Sequence, residues 1–232
     1  MKSDYSLSIR FASDGFSLFV LDQTGNTLVK RDVSESLFQM QKDEIITLFE
    51  QSGIVPADYS DVQVIIDSDF YVFVPALIFN IHHIDDYFYF QHEKNKQQIV
   101  LFNRIENWAA VNIFSIPAQL NEALSELFPD SVINHQLSYL LSEKMRTKED
   151  GVYVWTRAKM LDVVVVKSKI LTLINSFAYN TAEDFAFFVL SIFDQLKLYT
   201  ETTVVKMYGK NNLAECKELI AKYVKDVDLL TC

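Results

Sequence analysis

The sequence predicts an α/β protein built from two domains with the same order of secondary structure. Apolar periodicity shows the order β-β-β-α-β-α in outline twice within 232 residues. Phe16 and Leu161 open the second strand of each copy, a separation that fits a duplicated domain and is too long for a solenoid repeat. The polar stretch from Ser142 to Asp150 is the best linker. We therefore predict a first domain at 1–140 and a smaller second domain at 141–232.

The first domain opens with a predicted three-stranded meander. Its turns contain Asp14-Gly15 and Thr24-Gly25-Asn26, which are typical hairpin sequences. A helix follows, with Ser34 as its N-cap and Gly53 just beyond its end. The predicted strands are 6–12, 16–22, 27–32 and 62–67, and the predicted helix ends at about residue 51.

Residues 70–140 are predicted to add further α/β elements to the first domain. Pro75 and Pro117 each follow an apolar strand and are expected at the first position of a helix. The predicted elements here are strands near 98–102 and 109–114, which flank a helix at 117–128.

The second domain repeats the meander and the helix. Thr181 and Asp184 have the spacing of a capping box at the start of that helix. Asn212 is the predicted N-cap of the last helix. The predicted strands are 151–156, 161–166, 169–177 and 203–208, and the first helix covers about 181–198.

Composition excludes several classes of function. The chain has 21 basic and 31 acidic residues, and 19 of the acidic residues precede residue 141, which disfavours nucleic-acid binding. No apolar stretch approaches the roughly 20 residues that span a membrane, and the first residues do not form a signal peptide. Two cysteines, Cys216 and Cys232, fit thiols in a reducing compartment. We expect a cytoplasmic protein without membrane insertion.

One block of the second domain resembles a known family. The block contains Leu161-Asp162-Val163-Val164-Val165-Val166, Asn175-Ser176-Phe177, Tyr179, Thr181-Ala182-Glu183-Asp184-Phe185, Gln195-Leu196 and the single Gly209. It is similar to an uncharacterised Bacteroidetes family of unknown function with a duplicated ribonuclease-H-like fold, the actin-like ATPase fold. The resemblance implies two ribonuclease-H-like domains that face each other across a cleft, and it implies no activity.

Actin-like ATPases hold nucleotide between two hairpins, each with Asp and Gly in its turn, and beside a paired-glycine motif at adenosine. The matching segments here are Ser13-Asp14-Gly15, Arg157-Ala158-Lys159-Met160 and Tyr208-Gly209-Lys210. Only Asp14, Gly15 and Gly209 remain as cleft candidates, and each also fits an ordinary turn. We therefore predict a non-catalytic interaction or scaffold protein with degraded nucleotide-binding loops and no cofactor. The alternative is an ATP-binding, Mg-dependent ATPase or ATP-gated switch with an atypical cleft.

Two groups of residues have types that bind metals, but neither has a metal-site spacing. Asp67 and Asp69, with Asp14 or Asp22, would imitate a nuclease carboxylate cluster, although solvated strand-end carboxylates are the favoured interpretation. The second group contains His82, His83, Asp85, Asp86 and His92. Adjacent histidines do not share a helix face, so an exposed helix start is favoured over a zinc site. We predict no metal site and no catalytic residues.

Protein partners are indicated by two further features. Arg157, Lys159, Lys167 and Lys169 are expected to gather on one hairpin, either as a patch for an acidic partner or as a protected strand edge. The run Tyr87-Phe88-Tyr89-Phe90 must place at least one ring at a surface or interface. Cys216 lies on an apolar helix face, which favours a core thiol over a nucleophile. An unknown protein partner or self-association is the expected mode of action.

Overall fold

The structure is a computed structural model that describes residues 5–55, 58–157, 159–209 and 213–230. The chain divides into two compact units, Met1–Arg146 and Thr147–Cys232. The sequence placed this division after residue 140, within a segment where residues 140–144 form a single π-helical turn.

The first unit contains two sheets and four α-helices within the described residues. In chain order these are β1 (Ser6–Ala12), β2 (Gly15–Leu21), β3 (Thr27–Val33), α1 (Lys42–Ser52), β4 (Asp61–Ile66), β5 (Tyr71–Pro75), α2 (Ile84–Tyr89), β6 (Gln98–Ile105), β7 (Ala110–Pro117), α3 (Ala118–Leu127), β8 (Val132–His135) and α4 (Gln136–Tyr139).

The second unit is smaller and has one sheet in its described part. Its elements are β9 (Gly151–Arg157), β10 (Met160–Lys167), β11 (Ile170–Ala178), α5 (Ala182–Gln195), β12 (Val205–Tyr208), α6 (Leu213–Ile220) and β13 (Val227–Leu230). The predicted N-cap of α6, Asn212, lies outside the described residues.

The two five-stranded sheets have the same topology. Their strand orders are β3-β2-β1-β4-β8 and β11-β10-β9-β12-β13. In each sheet the first three strands form an antiparallel meander, and the last two run parallel to the first strand of the same unit, β1 or β9. The predicted α/β class and the order β-β-β-α-β at the start of each unit are therefore confirmed, and both sheets follow the ribonuclease-H-like pattern.

Each sheet also has a fifth strand that the sequence did not predict. β8 and β13 have four residues each, and side chains such as Val132 and Leu229 are 66% and 41% exposed. Short strands with exposed apolar residues lack the alternation on which strand prediction depends. Their conformation is set instead by parallel pairing with β4 and β12.

Residues 71–117 form a separate antiparallel sheet with the order β5-β7-β6. Its central strand β7 serves two cores, since Val111 and Ile113 pack with Phe88 of α2, whereas Phe114 and Ile116 join the core of the five-stranded sheet. The predicted arrangement, in which two strands flank a helix, was wrong here because β6 and β7 both precede α3 and pair directly with each other.

Helices cover one face of each five-stranded sheet. Ile45 and Phe49 of α1 and Leu120 of α3 pack with buried strand residues such as Ile9 in the first core. In the second core α5 and α6 pack on strands β9, β10 and β12. Among the described residues, no helix is long and apolar enough to cross a membrane.

Capping explains where the helices begin. The predicted helix at Ser34 starts later because Ser36 caps a short 3-10 turn, and α1 begins only after Gln41, whose N–H donates to the Glu44 carboxylate at 2.8 Å. Both prolines occupy the N-cap, one position before the predicted one, and the first of them opens only a 3-10 turn. The capping box of Thr181 is confirmed.

Asp22 organises the turn between β2 and β3. Its carboxylate accepts hydrogen bonds from the Thr24 hydroxyl at 2.7 Å and from the Asn26 N–H at 2.9 Å. These bonds favour the ionised form and lower the pKa of Asp22 to about 2.

The Asp22 carboxyl should therefore titrate near pH 2 rather than near its usual 3.8 in a side-chain NMR titration. Since its pKa is depressed in the folded protein, its contribution to stability is present above pH 3.8 and is lost as the pH falls toward 2. The Asp22→Asn variant should lose that part of the acid dependence of unfolding. Asp130→Asn, a change at another exposed aspartate in a turn, is the control. An Asp22 pKa near 3.8 would contradict the turn geometry.

Candidate functional site

The first candidate site is the hairpin turn between β1 and β2. Ala12 pairs directly with Gly15, so the turn consists of Ser13 and Asp14, both exposed. Gly15 has φ +149°, and a Cβ atom at this position would lie 2.1 Å from the carbonyl oxygen of Val33. Gly15 is therefore required for the close approach of β2 to the end of β3. This packing role accounts for the glycine without a phosphate.

The equivalent turn of the second unit joins β9 and β10. Arg157 pairs with Met160, which again leaves a two-residue turn, of which Ala158 lies outside the described residues. By register, exposed Lys159 occupies the position that Asp14 has in the first unit. No glycine stands in this turn, so the acidic residue and the glycine expected of a phosphate-binding hairpin are both replaced.

Gly209 follows β12 and contacts the end of β9. A Cβ atom on Gly209 would lie 1.9 Å from the hydroxyl oxygen of Thr156 and 3.1 Å from its carbonyl oxygen. The space beside this glycine is therefore filled by a protein side chain. Lys210, which completes the predicted adenosine segment, lies outside the described residues.

Asp67 follows β4 and is not the solvated carboxylate that the sequence suggested. It is only 6% exposed, and its carboxylate lies 2.6 Å from the Arg10 guanidinium. Its N–H also donates to the carbonyl of Phe11 at 2.7 Å, which continues the pairing of β4 with β1. The prediction of solvation was wrong because a buried carboxylate is tolerated when a cation pairs with it. Asp69 is exposed.

The histidines of the second metal candidate are held by separate contacts. His83 and Asp86 lie 2.9 Å apart through Nδ1 and Oδ2 at an exposed helix start, as predicted. The Nε2 atom of His92 lies 3.1 Å from the carbonyl of Tyr71, and its ring stacks on Phe88. Within 5–55, 58–157, 159–209 and 213–230, no three His, Cys, Asp or Glu side chains are grouped so that they would hold a metal ion.

The structure does not bring the four predicted basic residues together. Arg157 and Lys159 stand at one end of β10, and Lys167 and Lys169 stand at the other. Eight residues of antiparallel strand separate these ends by roughly 24 Å. The hairpin from β9 to β10 and the hairpin from β10 to β11 turn at opposite ends of β10, so the four residues do not lie on one hairpin as predicted.

The two ends of β10 also have different local roles. Lys167 donates to the carbonyl of Leu196 at 3.1 Å. The N–H groups of Ser168 and Lys169 each donate to Asp150 at 2.7 Å, and these bonds hold the pKa of Asp150 below its ordinary value. Of the four basic residues, Lys159, Lys167 and Lys169 are exposed, and Lys159 and Lys169 lie in turns.

Arg157 belongs to a buried polar network that the sequence analysis missed. Its guanidinium binds Asp162 through two bonds, at 2.7 and 3.0 Å, and the Ser176 hydroxyl also donates to Asp162. Asp162 is 1% exposed, and removing the cation partner of such a buried carboxylate typically costs about 3–5 kcal/mol. The available signal was an aspartate within an otherwise apolar strand, which requires a partner.

Two remaining expectations concern apolar side chains. Phe90, the last residue of the aromatic run, is 88% exposed, as the prediction of at least one surface ring required. Cys216 is buried within the second core, and burial raises the pKa of its thiol. A core thiol is therefore confirmed.

Similarity to known proteins identifies the family of this chain. A model of a family described as "Protein of unknown function (DUF3822)" matches residues 1–227. The chain belongs to that family. No curated protein matches it significantly.

Solved structures share the fold. A Bacteroides thetaiotaomicron protein with an actin-like ATPase fold and unknown function is 24% identical, with a TM-score of 0.85 over 98% of this chain and 91% of that one. The ethanolamine utilization protein EutJ from Carboxydothermus hydrogenoformans is 10% identical, with a TM-score of 0.52 over 99% and 85% of the two chains. For the PilM–PilN type IV pilus biogenesis complex the sequence identity is 10%, with a TM-score of 0.54 over 99% of this chain and 89% of that one. The DUF3822 chain therefore has the actin-like ATPase fold that the sequence predicted.

The packing role of Gly15 is testable by Gly15→Ala. The strained φ alone typically costs about 1–3 kcal/mol, and the contact with the Val33 carbonyl, which no side-chain movement relieves, should increase that loss in a denaturant unfolding experiment. Gly25→Ala is the matched control, since Gly25 also has positive φ, +83°, but has no atom within 4 Å of the added Cβ. Equal losses in the two variants would contradict the packing role.

Proposed function

We propose that this protein is a non-catalytic interaction or scaffold protein that has lost the nucleotide-binding function of its fold. The observation that carries the proposal is the closure of both hairpins by direct pairing, Ala12 with Gly15 and Arg157 with Met160. Each turn has only two residues, so few backbone N–H groups are available to surround a phosphate.

The neighbouring groups support this proposal. Lys159 replaces the acidic residue that would bind a metal-bound phosphate, and Thr156 fills the space beside Gly209. Asp67, a carboxylate at the end of a central strand, is already paired with Arg10. Lys159, the Thr156–Gly209 contact and the Asp67–Arg10 ion pair are three separate features. Restoring nucleotide binding would therefore require several changes at once.

Protein binding is favoured by the surface of the first unit. Leu77 and Phe90, in the segment that carries the β5-β7-β6 sheet, are 96% and 88% exposed. Large apolar side chains in contact with water are a feature of protein-binding surfaces. Among similar folds, PilM is found in a complex with PilN, which is a precedent for a protein partner. The acidic first unit makes nucleic acid an unfavourable ligand.

We also place the protein in the cytoplasm. The support is the buried thiol of Cys216, which takes part in no disulfide. The similar strand orders of the two sheets support an origin by domain duplication.

Addition of Mg-ATP or Mg-ADP should leave the melting temperature unchanged. A ligand at about 100 times its Kd adds about 2.7 kcal/mol to the free energy of unfolding, which raises Tm by roughly 5–10 °C for a chain of this size. A rise of several degrees at millimolar nucleotide would contradict the proposal. Asp14→Asn then locates the ligand, since loss of the rise assigns it to the first hairpin and persistence assigns it elsewhere.

A further inference from the structure

β11 is the outermost strand of the second sheet. Within the described residues, no strand pairs with its outer edge. The strand runs over nine residues, Ile170–Ala178, and contains no charged residue and no proline. Natural sheets protect long edges with charges, prolines or covering elements, because unpaired N–H and C=O groups attract other strands.

The equivalent strand of the first sheet is protected. β3 also lies at an outer edge, but it carries Lys30, Arg31 and Asp32, and Lys30 pairs with Asp32 at 2.7 Å. The outer strands β8 and β13 have only four residues each, and in the three-stranded sheet the outer strand β5 ends at Pro75 and the outer strand β6 contains Arg104. Among the strands that the structure describes, β11 is therefore the long edge without charge protection.

Two hydrogen bonds show which N–H and C=O groups of β11 point away from β10. The Tyr179 N–H donates to the carbonyl of Lys159 at 2.9 Å, on the side of β10. Since these groups alternate along a strand, the N–H and C=O groups of Ile174 and Ala178 point away from β10. The Ser176 N–H agrees with this alternation, because it donates to the side chain of its neighbour Asn175. A bulge near Val165 leaves the later part of β11 in regular register.

An apolar ridge accompanies this edge. We define the aromatic ridge as Phe177 of β11 with Phe187 and Phe188 of α5. The rings of Phe177 and Phe188 stack at 4.6 Å, and Phe187, which is 65% exposed, contacts Phe188 edge-on at 5.5 Å. Ile170 at the start of the strand is also 65% exposed. The hydrogen-bonding edge of β11 and the aromatic ridge are therefore adjacent.

We propose that the outer edge of β11 and the aromatic ridge form a two-fold symmetric contact with the same surface of a second copy of this chain. The proposal deepens the interaction function proposed above and rests on it. Edge pairing of two β11 strands would join the second sheets of two copies by backbone hydrogen bonds, and the ridges would bury apolar side chains beside them.

Charge favours a second copy as the occupant. The second unit has 11 basic and 11 acidic residues, so two second units approach each other without net repulsion. The first unit has 10 basic and 20 acidic residues, which opposes self-association through that unit. A strand without charges also places no like charges opposite each other when it pairs with itself.

The test is sedimentation velocity of the full chain over a concentration series without nucleotide. The contact is small, so we expect a reversible dimer with a Kd on the order of 10–100 μM rather than a permanent one. Asn175→Lys places a positive charge at an exposed position of β11 in both copies and should weaken association by at least about tenfold. Thr202→Lys, the same charge change at an exposed residue outside the strands, should associate like the unmodified chain.

A chain that stays monomeric at all concentrations overturns the proposal, and so does an Asn175→Lys variant that associates like the Thr202→Lys control. If Asn175→Lys does not fold, as judged by circular dichroism, Phe187→Ser tests the ridge by the same criterion. Nucleotide binding is read separately from Tm. Dimerisation with nucleotide binding would therefore overturn only the loss of nucleotide binding, and a monomer without nucleotide binding would overturn only the β11 contact.

Discussion

Each unit depends on a central strand that is hydrogen-bonded on both sides. β1 lies between antiparallel β2 and parallel β4, and β9 lies between β10 and β12 in the same way. This double pairing fixes the register of the whole sheet and places the hairpin turn and the end of the parallel strand side by side. We call the place where the hairpin turn lies beside the end of the parallel strand the corner of the unit. In actin-like ATPases the nucleotide-binding hairpins belong to this corner, so its packing affects whether a phosphate fits.

In both units the corner is closed by the chain itself. The first unit uses the approach of Gly15 to Val33 and the ion pair of Arg10 with Asp67. The second unit uses Thr156 against Gly209 and, along the same hairpin, the pairing of Arg157 with Asp162. Each set combines a close glycine contact with an Arg–Asp ion pair, and both sets fill or neutralise positions beside a hairpin turn.

The sequence predicted the sheet meanders and helix α5 because their signals are local. Asp14-Gly15 specifies a tight hairpin, and Thr181 with Asp184 specifies a helix start. The short strands β8 and β13 were missed because their pairing partners, not their own residues, determine their conformation. The late start of α1 was missed because two competing caps, Ser36 and Gln41, lie within one short segment.

The candidate site was less predictable because it depends on which residues meet across strands. Asp14, Gly15 and Gly209 were found from motifs, but their packing against Val33 and Thr156 follows from register. The supposed basic patch failed as a cluster because sequence proximity on consecutive hairpins places residues at opposite ends of a shared strand. Asp162 required a partner that the sequence did not identify, although Arg157 lies only five residues earlier.

The loss of nucleotide binding proposed above concerns the corners at the two hairpins. The most direct measurement is an NMR titration of the backbone amides of Gly15 and Gly209 with Mg-ATP. We expect that neither resonance moves in a saturable way up to millimolar nucleotide. Saturable shifts of both amides with a common Kd would contradict this expectation. They would show that nucleotide binds at corners that the protein's own side chains and backbone fill.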